Sequence, residues 1–175
     1  MRRLLLFRHA KAERAEAGQS DLDRPLTRQG LEDAELIGAY IARHAFVPDT
    51  AIVSPSVRTR ETFSRAAAAM KPPPVPIFDP RAYDASASAL LHVLKGLPDG
   101  AQTVMLIGHN PGLHELALML VGTGDIETRE RLREKFPTAA LAIVDFPLDS
   151  WAKLHASAGR LERCIEPKLI ARATR

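Results

Sequence analysis

The sequence predicts an α/β domain of three layers, built on a mostly parallel central sheet with an antiparallel edge. Two short apolar runs, residues 4–7 and 103–107, have the composition of strands buried on both faces. Segments with helical spacing of apolar residues alternate with such runs, a pattern that builds a sheet covered by helices. Late in the chain the pattern changes. Residues 139–146 and 151–165 read as successive strands separated by turn signals at Pro147 and Gly159, which places an antiparallel edge at the end of the sheet.

Residues 4–7 end abruptly in Arg8 and His9, so chemistry-bearing side chains stand at a strand's C-terminal end. A polar loop runs to Leu26. Thr27 then caps a helix that carries Leu31, Ala34, Ile37 and Ile41 at helical spacing and ends near Arg43. Residues 51–53 form the next strand, ending in Ser54-Pro55, and a helix follows over 56–70. Pro72, Pro73, Pro74 and Pro76 stop that helix and leave 75–78 as a brief extended segment. A helix over 87–94 closes at Gly96 and Pro98, and the strand at 103–107 ends in Gly108-His109. Pro111 suits a first helical position, with Leu113, Leu116, Ala117 and Leu120 on one helical face. Gly122-Thr123-Gly124 is read as the closure of that helix, and the basic C-terminus as a solvated tail. In sheets of this kind ligands bind beyond the strand C-termini, where Arg8, His9, Ser54 and His109 all fall.

The 175 residues suit one domain, 1–175, that buries about two-thirds of the surface of its unfolded chain without staples. A hydrophobic content of 46% with 26% charged residues is ordinary for a soluble globular protein. The apolar stretch after Arg2 and Arg3 is too short for a signal peptide core, so the expected location is cytoplasmic, with no membrane association. The single cysteine, Cys164, is expected on a strand; it can form no internal disulfide and suggests no thiolate metal site. A net charge of +3 comes from scattered basic residues, and nine aromatic residues make no stacking platform, so nucleic acid is not an expected partner.

The residues at the strand ends suit one chemistry. A phosphoryl group in transfer keeps negative charge on its equatorial oxygens, so a catalyst needs fixed positive charge and donors around it. Arg8, Arg58 and a protonated His109 would supply them, since a guanidinium grips phosphate by two prongs and stays charged. A neutral histidine can instead accept the phosphoryl group on a ring nitrogen and release it to water, a role that suits His9. Taken singly, each residue has an ordinary use: Arg8-His9 as a solvated strand end, His109 as a helix cap, Arg58 as a surface helix residue. Their ordered company outweighs those uses.

Leu5-Leu6-Phe7-Arg8-His9-Ala10, Asp23-Arg24-Pro25-Leu26-Thr27 with Gly30, Ser54-Pro55 with Arg58 and Thr62, and Ile107-Gly108-His109-Asn110-Pro111-Gly112 follow one another in this order. Together they resemble the histidine phosphatase superfamily, and within it the small SixA-type phosphohistidine phosphatases. The resemblance implies a phosphoglycerate mutase-like fold. It also implies that His9 is the phosphoryl-accepting nucleophile, that Arg8 and Arg58 bind phosphate, and that His109 contacts phosphate and stabilises the transition state. Ala10 stands where the family usually has glycine. Relatives acting on phosphate esters carry a glutamate as general acid, for which there is no clear match; Asp84, after Tyr83, is the best positional candidate, although turns commonly use aspartate there.

The expected activity is therefore removal of phosphate from phosphohistidine on a protein, through a covalent phosphohistidine at His9, with no cofactor. The partner would be a phosphohistidine-bearing signalling protein. A phosphatase of small phosphate esters using the same nucleophile is the alternative within enzymes, and a non-catalytic phosphate-binding module is the alternative outside them. Metal chemistry is not expected. His114-Glu115 begins like a zinc-protease helix, but Leu118 replaces the second histidine; His44, His92 and His155 sit in no ligand spacing; and 122–124 lack a P-loop ending.

Overall fold

In the computed structural model, which describes residues 1–173, the chain forms one mixed sheet flanked by helices. Residues 174 and 175, the end of the span expected to form one domain, lie outside the described residues. The strands are β1 (Arg2–Arg8), β2 (Thr50–Val53), β3 (Val75–Phe78), β4 (Thr103–Gly108), β5 (Val121–Gly124), β6 (Leu141–Phe146) and β7 (Gly159–Ile165). The helices are α1 (Arg28–Arg43), α2 (Val57–Ala67), α3 (Ala87–Lys95), α4 (Gly112–Leu120), α5 (Ile126–Glu134) and α6 (Pro167–Ala173).

The apolar runs occupy the middle of the sheet, in the order β3-β2-β4-β1-β6-β7-β5. β1 has no polar face to offer water between Leu4 and Phe7, so it is sandwiched between β4, parallel, and β6, antiparallel. Its alternate side chains feed two cores. Leu4 and Leu6, with Val104 and Leu106, pack under α3 and α4; Leu5 and Phe7, with Met105 and Ile107, pack under α1 and α2. All eight are fully buried, and burying each contributes about 1.5–3 kcal/mol. Helix starts follow the side-chain caps: Thr27, Ser56 and Ser86 each accept from the backbone N–H three residues on.

The end of the chain differs in detail from the sequence pattern. Only β6 runs against the other strands, and it sits inside the sheet, because β7 pairs on its far side and β5 continues the sheet beyond β7. The 122–124 segment does not close a helix: α4 ends at Leu120, and Gly122 and Gly124 belong to the edge strand β5. Glycine is needed there for close approach, since a Cβ on Gly122 would lie 2.1 Å from the Ser157 carbonyl oxygen. Residues 151–165 are strand only from Gly159; Trp151 opens a 3-10 turn instead, its indole donating to the Ala101 carbonyl. Helix α5 escapes a periodicity reading because it buries only Leu132. Pro167–Ala173 of the basic tail form α6, and Ile170 packs against the core beneath α1. Cys164 is on β7, as expected. No helix among the described residues is long and apolar enough to cross a membrane.

Register now positions the candidate site. Phe7 and Val53 both align with Ile107, so β1, β2 and β4 finish at one level. The residues just beyond remain tied to that level: His9 N–H donates to the Gly108 carbonyl (3.2 Å), and Ser54 N–H to the Ile107 carbonyl (3.1 Å).

Candidate active site

Arg8, His9, Arg58 and His109 come together at these strand ends. The rings of His9 and His109 have centroids 5.3 Å apart. Arg58, in the first turn of α2, donates from Nη2 to His109 Nδ1 at 3.2 Å. Thr62, one turn further along α2, couples that helix to the loop that follows His9: its hydroxyl donates to the Arg58 carbonyl (2.7 Å) and accepts from the Ala10 N–H (3.0 Å). Ala10 has no positive φ, so the alanine fits a position where the family usually has glycine. Arg8 donates from Nη1 to the Phe136 carbonyl (3.2 Å), which also accepts from Asn110 Nδ2 (2.8 Å), so the 135–140 segment forms one wall.

The hydrogen bonds assign the histidine protons. His9 Nδ1 lies 2.7 Å from the Ala10 carbonyl, which can only accept, so Nδ1 carries the proton and Nε2 keeps its lone pair. His109 is the reverse. Its Nδ1 accepts from Arg58, so Nε2 carries the proton and donates to Ser54 Oγ at 2.7 Å. Burial pushes the His9 pKa down to about 4, helped by the charges of Arg58, Arg8 and Arg24 and opposed by the Ala10 carbonyl. Burial and Arg58 push that of His109 down to about 3. Before an anion arrives, the His109 cation expected from the sequence is disfavoured beside Arg58 and Arg8, and the fixed positive charge comes from the guanidiniums. Arg8 itself is lowered by burial.

These proton positions give a direct test. Long-range 1H–15N spectra in phosphate-free buffer should show both rings neutral at pH 6, His9 as the Nδ1–H tautomer and His109 as the Nε2–H tautomer. Protonation should set in only near pH 4 and pH 3 respectively. Ordinary titration of both rings at about 6.5 would contradict the arrangement.

Two donors beside the histidines have no partner. Arg8 Nε and Arg58 Nε are buried and unbonded among the described residues. Each buried, unpaired donor costs about 1–3 kcal/mol, a penalty that an anion accepting from it would remove. A cavity of about 870 Å³ between α2 and β3 is lined by residues such as Phe63, Met70 and Phe78 and includes none of the four. The site is therefore located by its charge and donors rather than by cavity size.

Asp84 is exposed, with φ 50°, and takes no part in this hydrogen-bonded cluster. The carboxylate that does is Asp21, which spacing could not reveal because it lies 37 residues from Arg58 and 62 from Tyr83. Asp21 accepts at Oδ2 from Arg58 Nη2 (2.9 Å) and from Tyr83 Oη (2.5 Å), and at Oδ1 from Arg24 (2.9 Å). The Tyr83 hydroxyl, Arg24 and Arg58 hold its pKa far below the usual carboxylate range. Tyr83 also sets its ring edge-on to His109, centroids 5.4 Å apart.

A neutral ring nitrogen, the guanidiniums of Arg8 and Arg58 and a strand-end location suit the handling of a phosphoryl group on an α/β sheet. The comparisons agree with that class. The profile of the histidine phosphatase superfamily (branch 1) matches residues 4–81. The uncharacterized protein MT1313 of Mycobacterium tuberculosis is 30% identical over 140 residues, covering 79% of this chain and 85% of that protein. A candidate phosphohistidine phosphatase, SixA from Agrobacterium tumefaciens, superposes with a TM-score of 0.80 at 28% identity, over 95% of this chain and 98% of that one. Phosphoglycerate mutase from Plasmodium falciparum shares the fold alone, with a TM-score of 0.56 at 14% identity, over 94% of this chain and 89% of that one. The chain belongs to the histidine phosphatase superfamily, a family of phosphatases, and its fold is phosphoglycerate mutase-like.

Proposed function

We propose that this protein hydrolyses phosphohistidine on other proteins, with His9 as nucleophile and no metal. The observation that carries the reading is the Nδ1–H bond from His9 to the Ala10 carbonyl, which leaves the lone pair on a neutral Nε2 beside Arg8 and Arg58, whose Nε atoms are buried and unbonded among the described residues. In the first step His9 Nε2 forms a bond to phosphorus as the bond from phosphorus to the substrate imidazole breaks. Arg8 and Arg58 hold the equatorial oxygens, and the incoming negative charge raises the proton affinity of His109, which then adds a donor. The departing imidazole takes a proton from solvent. In the second step water attacks phosphorus, the bond to Nε2 breaks with its electron pair returning to the ring, water's surplus proton passes to solvent, and inorganic phosphate leaves with the water-derived oxygen.

The substrate class follows from the acids present. An alkoxide leaving group needs a positioned proton donor, whereas imidazole, with a pKa of about 6.5, is protonated readily near neutral pH. Asp21 is held ionised and Asp84 stands outside the cluster, so neither is placed to protonate an alkoxide. The structurally similar SixA protein, described as a candidate phosphohistidine phosphatase, supports the same class.

Specificity constants on a phosphohistidine protein, several sugar phosphates and an aryl phosphate test this reading. The phosphohistidine protein should be the best substrate, and Asp84→Asn should leave all values unchanged. A sugar phosphate turned over faster, with hydrolysis lost selectively in Asp84→Asn, would make Asp84 a general acid and the protein an esterase for small phosphates.

A further inference from the structure

Resting on the phosphatase reading above, we propose that Asp21 is a positioning residue that aims Arg58 at the phosphoryl group. A guanidinium is a flat fork with two usable edges: the end edge, Nη1 with Nη2, and the side edge, Nε with the other Nη2 hydrogen. Asp21 takes the whole end edge. Its backbone carbonyl accepts from Nη1 at 2.7 Å, and its carboxylate accepts from Nη2 at 2.9 Å. The side edge is left facing the histidines: Nη2 reaches His109 Nδ1, and Nε is buried without a partner. An anion beside His9 and His109 meets that edge at Nε, so Asp21 and substrate use different hydrogens of one guanidinium and do not compete.

The same carboxylate fixes a second wall. Tyr83 donates its hydroxyl to Asp21 and lays its ring edge against His109, so one side chain of the 10–26 loop orients both neighbours of the second histidine. Arg24 occupies the other oxygen at 2.9 Å, which keeps the surroundings of the anion site net positive despite the carboxylate. The clamp matters because Arg58 is a long side chain on a short first helical turn. Without a partner on its end edge, the guanidinium could rotate its side edge away from the histidines.

Vanadate binding to the full chain, measured by calorimetry alongside kcat and KM, provides the test. Removing a group that orients a directly binding one commonly costs ~10- to 100-fold in affinity, and Asp21→Ala should weaken vanadate within that range. Asp21→Asn, whose amide oxygen can still accept from Arg58, should recover part of the loss, and Asp23→Ala on the same loop should change nothing. Unchanged or tighter vanadate binding in both Asp21 variants would overturn the inference, because a carboxylate that competes with the anion predicts tightening. If the unmodified protein itself fails to bind vanadate, the phosphatase reading falls, and the inference falls with it.

Discussion

Replacing His9 with alanine should lower turnover of a phosphohistidine protein by roughly 10⁴-fold or more, the scale of loss seen when a covalent nucleophile is removed. The same substitution should abolish a phosphoenzyme that rapid acid-free quenching traps in the unmodified protein, and the trapped species should be acid-labile and alkali-stable. The size of the effect follows from the site. The neutral Nε2 of His9 is the atom left free to attack, and His109 has its own Nδ1 engaged by Arg58 and its Nε2 proton on Ser54. Neither nitrogen of His109 is free to take over. The fold should survive, because His9 makes one side-chain hydrogen bond, to the Ala10 carbonyl, worth about 0.5–1.5 kcal/mol. Turnover that persists in His9→Ala, or label recovered on serine, would refute the assignment; Ser54, 2.7 Å from His109, is the serine to examine first.

Arg58→Ala should cost ~10²- to 10³-fold in kcat with far-UV circular dichroism unchanged, and His109→Ala should fall in the same range, because Arg58 is a donor preorganised toward developing charge and His109 becomes one when the incoming anion raises its proton affinity. Arg58→Lys should rescue little. A lysine is a point charge on a flexible stem and cannot donate at once to the Asp21 carbonyl, the Asp21 carboxylate and His109, as Arg58 does. His109→Ala releases Ser54 and exposes the Tyr83 ring, but it leaves both arginines in place, so substrate binding should suffer less than turnover. A near-normal rate in either alanine variant would remove that residue from the site.

Strand burial made much of this protein legible in its sequence. Runs such as 4–7 can be accommodated only between two layers, so the sheet and its helices followed, and the charged residues that interrupt those runs had to lie at strand ends. Arg8-His9 and His109 were visible for that reason, and the helix starts at Thr27, Ser56 and Ser86 because their caps are local chemistry. Other features depended on distant groups. Gly122 and Gly124 read locally as a helix end, yet their lack of side chains serves an approach to Ser157 and Leu161 across an edge strand. Helix α5 buries a single leucine, so its sequence carries almost no periodic signal. The neutral state of His109 needs Arg58 at 3.2 Å and burial under the loops, neither of which is a property of residue 109 or its neighbours. Asp21 is one acidic residue of a polar loop until folding sets it against Arg58 and Tyr83. By itself the sequence determined which side chains stand at the strand ends, because period and apolarity act within a segment. Only the tertiary structure decided which proton each histidine carries and which carboxylate aims the arginine, because hydrogen bonds and desolvation act between segments.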